Sequence, residues 1–334
     1  MSPAVSTRID RVSPDDEAGL AAAAGMLSAY WREVLGPDEP DVPITEMHLM
    51  MRVDRPDIDV TILLARDGSD VVGYGYVDIR RGAGNEHMAW APDLYVAIDH
   101  RRRGIGRALL DEMTAMARAA DRSLLLGGRN VGHAAAEAFA TAVGATVGNT
   151  EVQNRVATAA LDRALLESWN VPAPGYSLFT FDDRCPDDML DAVVALKNVM
   201  NDAPRTEAID EFIFTADQRR RAEAEHAVKG AREWFVAARH DETGELAGYT
   251  ELMVMPYKPW HVEQGDTAVA PAHRGHGIGR WLKAVNALRV LDEWSEGRWI
   301  ETWNDGSNQW MLAINTAMGF RPVARWVDAE LSLS

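Results

Sequence analysis

Two stretches of the chain carry the same turn, one suited to holding an anion: IDHRRRGIGRALLDEM at residues 98–113 and VAPAHRGHGIGRWLKAV at residues 269–285. In each, an apolar strand ends near Val96 or Val269, a basic glycine-spaced turn follows, and the turn becomes a helix. Glycines there let the backbone approach a ligand closely, and the unpaired N–H groups and dipole of a helix start favour a pyrophosphate. The candidate anion holders are Arg101, Arg102, Arg103, Gly104, Ile105, Gly106 and Arg107 in the first stretch. In the second they are Arg274, Gly275, His276, Gly277, Ile278, Gly279 and Arg280. A lone turn of this kind reads equally as an ordinary helix start; its recurrence after the same strand-rich unit favours a ligand. Neither stretch is a Walker loop or a G-x-G-x-x-G dinucleotide turn, because Gly-Lys-Ser/Thr and the flanking β-α-β order are missing. Nine histidines without ligand spacing and a single cysteine, Cys185, make a metal site unexpected. His273 and His276 read as donors or packing groups beside the turn, and Cys185 as structural.

The elements that must position these turns come in duplicate. Pro14-Asp15-Asp16 returns as Pro186-Asp187-Asp188, Ala65-Arg66 as Ala238-Arg239, and Gly73-Tyr74 as Gly248-Tyr249. The glycine turn returns with them, so all four anchors keep one order at shifts of 172 to 175 residues. A period this long is a duplicated domain, not a solenoid. Each half reads as a short strand (7–12; 176–181), a helix opened by proline and two aspartates, and a second charged helix. Paired strands follow at 60–65 with 71–79 and at 234–239 with 246–255, turned at Asp67-Gly68 and Thr243-Gly244. A third strand then leads into the glycine turn and its helix (106–119; 279–291), followed by strand, helix and closing strands. The expected fold is α/β with a mixed sheet, in two domains at 1–168 and 176–334 joined by the proline- and glycine-rich ESWNVPAPG, residues 167–175.

A chain of 334 residues, 47% hydrophobic and 25% charged, is long enough for two such cores. The opening MSPAVSTRIDRVSPDD has no apolar signal core and no apolar run nears the length of a membrane helix, so a cytoplasmic protein without a membrane partner is expected. With 34 basic and 51 acidic residues the net charge is −17, which disfavours nucleic acid and favours cationic ligands.

At the two turns the chain resembles the GNAT superfamily of N-acetyltransferases, whose signature is Arg/Gln-x-x-Gly-x-Gly/Ala after the fourth strand. Because both halves match, it resembles tandem GNAT proteins of the actinobacterial type, an α/β fold with two acyl-CoA N-acyltransferase domains. The resemblance implies acetyl-CoA held by the main-chain amides of 274–280, and of 101–107 in the first half. The tetrahedral oxyanion would meet amides at the end of strand four, around Val269 and Val96. A small-molecule primary amine would be the acceptor, aminoglycoside-like or polyamine-like given the acidic charge, and the protein a monomer or homodimer without a metal.

Acetyl transfer also needs a base for the amine and a proton for the departing thiolate. The superfamily's strand-four glutamate corresponds to Glu263, eleven residues before Arg274, with Glu251 and Glu301 as substitutes on neighbouring strands. The same offset from Arg101 lands on Trp90, with Glu86 nearby. Asn304, Asn308 and Asn315 stand where the first half has Arg129, His133 and Ala140. They border one groove and can contact the cofactor, or else cap the helix, for which Asn304 is well placed. Asn315 and Ala140 occupy the place of the superfamily's usual tyrosine acid, so neither half offers that acid. The second half is therefore expected to be catalytic through Glu263, Asn315 and Glu251, and the first structural or regulatory. The tryptophans of the second half read mostly as core or interface residues, with Trp260 and Tyr257 alternatively lining a substrate mouth; residues 217–229 are expected to form a substrate-side helix, and Arg219-Arg220-Arg221 to lie on a solvated helix face. The rival readings are a non-catalytic acyl-CoA sensor or scaffold and a mycothiol-synthase-like acetyltransferase.

Overall fold

The computed structural model describes residues 7–53, 55, 57–81, 84–202, 210–306 and 308–333. These residues divide into two units, and each half of the repeat builds most of one.

The first unit opens with strand β1 (Arg8–Arg11) and helices α1 (Glu17–Leu35) and α2 (Ile44–Arg52). The hairpin β2 (Ile58–Asp67) and β3 (Asp70–Arg80) follows, then the short strands β4 (Met88–Trp90) and β5 (Leu94–Val96). Helix α3 (Ile105–Ala119), β6 (Leu124–Asn130), α4 (Ala134–Val143) and the start of β7 (Thr146–Ala157) complete the series. The helix at the Pro-Asp-Asp anchor begins as anticipated: the Asp16 carboxylate accepts from the amide of Gly19 and caps α1. Helix α3 buries Ile105, Leu109, Leu110, Met113 and Ala117, a stripe at helical spacing, against β2 and β3.

The second unit begins within β7, which continues into α5 (Arg163–Trp169), β8 (Tyr176–Asp182), α6 (Leu190–Lys197) and α7 (Ala216–Lys229). Strands β9 (Arg232–His240), β10 (Leu246–Val254) and β11 (His261–Val269) form its antiparallel meander. Helix α8 (Ile278–Glu293), β12 (Trp299–Asp305), α9 (Gln309–Ala317) and the start of β13 (Arg321–Ser332) follow.

The two units do not part at the proline- and glycine-rich segment. The division falls between Thr150 and Glu151, inside β7, and again between Val323 and Ala324, inside β13. Residues 151–157 pair with β12 and so belong to the second unit, whereas residues 326–332 pair with β6 and complete the sheet of the first. Segment 167–175 packs within the second unit: Ala173 is buried in its core and accepts from the amide of Tyr176. Within the first unit the strands run β1, β2, β3, β4, β6, β13, with β5 also paired to β3; within the second they run β7, β12, β11, β10, β9, β8. No helix among the described residues is long and apolar enough to cross a membrane.

Candidate active site

Both glycine turns fold alike. In the second unit, β11 ends at Val269, a 3-10 turn spans Pro271–His273, and the Arg274 Nε–H donates to the Val269 carbonyl at 3.1 Å, tying the turn to the strand end. Gly275 and Gly277 have φ of 83° and 76°, left-handed values that favour glycine. Gly277 is the N-cap of α8 and no side chain caps that helix start, which leaves its first amides for a ligand. In the first unit, Arg101 Nε–H donates to the Val96 carbonyl at 2.9 Å and Gly104, at φ 87°, starts α3 equally uncapped.

Arg101 and Arg103 of the first turn are committed to partners of their own. Arg101 forms a two-pronged pair with Glu33 of α1 at 2.8 and 2.6 Å, and His133 Nε2 meets the same carboxylate at 2.6 Å. Burial would raise the Glu33 carboxyl, but Arg101 and His133 outweigh it and hold it below the usual range. Arg103 donates to the Asp99 carbonyl at 2.8 Å, and Arg102 adopts a left-handed φ of 64° where the second turn has Gly275.

Beyond these turns the parallel strands part. In the second unit β11 and β12 pair only over His261–Glu263 and Trp299–Glu301, and Thr302 Oγ1 donating to the Gln264 carbonyl at 3.2 Å is the last link. From there β11 runs on to Val269, still paired with β10, and β12 to Asp305, still paired with β7, but not with each other, so a wedge opens between them toward the glycine turn. A β-bulge places Gly265 and Asp266 opposite Glu251, between the pairs Leu252 with Gln264 and Thr250 with Thr267. The first unit repeats this: β4 pairs with β6 over Met88–Trp90, and β5 then pairs only with β3. Glu263 and Trp90 thus hold the same position, the last paired residue before the strands diverge. Glu86 lies exposed ahead of β4, and Arg80 stacks over Trp90 at 5.5 Å.

On the helical side of the bulge the second unit has an open-mouthed cavity of about 200 Å³. Glu263, Glu251, Gly265, Phe214 and Met253 line it, together with Arg219 and His226 of α7. Gly265 is required here, since a Cβ would stand 2.9 Å from the Glu251 Cγ. Lys197 donates to both Glu251 oxygens at 2.7 and 2.9 Å and lies 3.6 Å from Asp266. Burial raises the Glu251 carboxyl; burial would lower the Lys197 ammonium, but its two carboxylate neighbours prevail and raise it. Glu263 makes no hydrogen bond or ion pair among the described residues. Glu263 is exposed at the cavity, and the protein crowded around it together with the nearby Glu301 and Glu251 carboxylates lifts its carboxyl above the ordinary range. Glu301, its partner across the ladder, is itself bound by Arg155 and lies 3.6 Å from His261.

Several expectations are corrected here. Arg219 does not belong to a solvated face: it is 3% exposed, paired with Glu223 at 2.8 Å one turn along α7 and with Glu233 of β9 at 2.8 Å. A buried guanidinium survives only because two carboxylates compensate it. Helix α7 does border the cavity, as expected of residues 217–229, but Tyr257 and Trp260 do not line it; Phe214 does. The cap of α9 is Asn308, whose Oδ1 accepts from the Met311 amide at 3.2 Å, as the His133 ring caps α4. Asn304 instead accepts from Asn315 Nδ2 at 2.8 Å and from Asn154 at 3.3 Å, and Asn315 is 1% exposed. Burial pushes the Cys185 thiol up to about 11, which removes it as a nucleophile. Among the described residues, no group of three or more His, Cys, Asp or Glu side chains could hold a metal.

A wedge between parallel strands, opening on an uncapped helix start and present twice, defines the architecture of a tandem GNAT acyltransferase. The family described as acetyltransferase (GNAT) domain matches residues 59–144, and the acetyltransferase (GNAT) family matches residues 197–311. No curated protein matches the sequence. Among solved structures, a tandem GNAT protein from the clavulanic acid biosynthesis pathway, without acetyl-CoA, is 28% identical with a TM-score of 0.81 over 98% of this chain and 99% of that one. A GCN5-related N-acetyltransferase from Sphaerobacter thermophilus, 14% identical, shares the fold with a TM-score of 0.72 over 98% of this chain and 96% of its own. The chain belongs to the GNAT acetyltransferase family, with one GNAT domain in each half, and is an N-acetyltransferase.

Proposed function

We propose that the second unit moves acetyl from acetyl-CoA to the primary amine of a small cationic molecule by direct attack in a ternary complex, and that the first unit is structural or regulatory. The observation that carries this reading is the exchange at one position: an unpartnered carboxylate, Glu263, stands between wedge and cavity in the second unit, and Trp90 stands there in the first. The amides at the start of α8 suit the pyrophosphate, and the wedge beside β11 gives the thioester a path toward Glu263. The ammonium gives one proton to Glu263 through water, its freed lone pair forms the C–N bond, and the second proton on nitrogen leaves to solvent as the tetrahedral intermediate collapses. Main-chain N–H groups near Val269 hold the oxyanion, the C–S bond breaks, and the thiolate takes a proton from solvent. Asn315 has no proton to dissociate; bonded to Asn304, it serves as a positioning residue beside the wedge.

The same architecture suits an acyl-CoA sensor, a reading favoured by the absence of a tyrosine at Asn315 and Ala140. Thiol release from acetyl-CoA against a panel of primary amines separates the two. Turnover with at least one amine is the expected result; calorimetric binding of acetyl-CoA with no release for any amine would establish the sensor.

A further inference from the structure

We infer that the acceptor is a compact primary amine bearing one positive charge on an apolar body, and that Phe214, held in place by Asn198, reads that body; this rests on the second unit being the transferase. The charges around the cavity are almost all spent. Lys197 is taken by Glu251 and Asp266, Arg219 by Glu223 and Glu233, and Glu233 also meets His226 at 3.2 Å. Among the described residues lining the cavity only Glu263 is left without a partner, with Lys258 and His226 acting on it through charge alone. One ammonium gives Glu263 the partner it lacks, and a second placed within the cavity would meet Lys197 or Arg219, already buried cations, where like charge opposes it.

The rest of the wall is apolar: Phe214, Ala222, Leu252 and Met253. A cavity of about 200 Å³ suits a short alkyl or single-ring body. Phe214 is fixed by side-chain pairing and not by a strand. The Asn198 amide donates to the Phe214 carbonyl at 3.0 Å and accepts from its N–H at 2.8 Å, and Asn201 does the same for Phe212 at 3.0 and 3.2 Å.

The test is thiol release by the full chain at saturating acetyl-CoA with ethylamine, hexylamine, phenethylamine, 1,6-diaminohexane and spermidine. Hexylamine and phenethylamine are expected to exceed the diamine and spermidine in kcat/KM by at least about tenfold. Phe214→Ala is expected to raise KM for phenethylamine about tenfold more than for ethylamine, with kcat moving less than KM. Asn198→Asp, which keeps the acceptor and loses the donor, should shift the preference in the same direction. A diamine or spermidine turned over as well as hexylamine overturns the inference, as does a Phe214→Ala effect equal for every amine. Acetyl-CoA bound with no amine turned over would instead overturn the transferase reading, and the inference with it.

Discussion

Glu263→Gln is expected to lower kcat/KM for the preferred amine by about 10²- to 10⁴-fold, the range a positioned general base contributes. Glutamine keeps the size and polarity of the side chain but cannot take a proton. Because Glu263 does not touch the glycine turn, acetyl-CoA affinity by calorimetry should stay at the wild-type value. The protein crowded around Glu263 and the flanking carboxylates hold its carboxyl above its ordinary value, so the wild-type rate should rise with pH above the usual carboxylate range. That limb should vanish in the variant. The stability effect has the opposite sense to damage. A carboxyl raised in the folded state contributes stability at low pH that is lost as pH climbs through the folded value, so the variant should be at least as stable as wild type at neutral pH. A variant of wild-type rate would exclude Glu263 as the base.

Lys283→Leu is expected to stabilise the protein at pH 7 by several kcal/mol. Lys283 is 1% exposed in the middle of α8, with its ammonium 5.7 Å from the Phe320 ring, and burial pulls it down to about 7 from an ordinary 10.5. The corresponding residue of the first unit is Leu110, part of that unit's core. An unfolded chain keeps the proton up to about pH 10.5 whereas the folded chain releases it near 7, so wild-type stability should climb between those values. The rise is up to about 5 kcal/mol, at about 1.4 kcal/mol per unit. Urea unfolding at pH 6.5, 8 and 10 should show the variant ahead by most at the lowest pH, with the gap narrowing upward. Equal stabilities at pH 6.5 would mean that the ammonium is solvated or paired.

Local chemistry was legible in the sequence. The glycine turns, the hairpins and the position of Glu263 follow from short-range spacing, and the eleven-residue offset from Arg274 survives because strand and turn are continuous in the chain. Features that depend on distant partners were not. The last strand completing the first unit reflects pairing between residues 124–130 and 326–332, and nothing in a periodic pattern announces a partner so remote. Arg219 reads as exposed in an Arg triplet because its compensating Glu233 lies on another element. Phe214 joins the cavity wall through Asn198, sixteen residues away, by a side-chain bond that leaves no hydrophobic period. Lys283 was hidden by its own type, since lysine on a helix is usually solvated.

The central claim is that the two units divide the work, the second carrying the transfer. Gly279 and Gly106 give paired probes at the two helix starts: an added Cβ at Gly279 stands in ordinary contact, 3.6 Å from Ile314, and one at Gly106 stands 3.3 Å from the Phe139 ring, which must give by a few tenths of an ångström. Alanine favours a helix over glycine, so neither substitution threatens the fold. The decisive measurement is the KM for acetyl-CoA in thiol release. Gly279→Ala is expected to raise it at least about tenfold by placing a methyl against the pyrophosphate, and Gly106→Ala to leave it within about twofold of wild type. A rise in Gly106→Ala with Gly279→Ala unaffected would contradict the division and assign the transfer to the first unit.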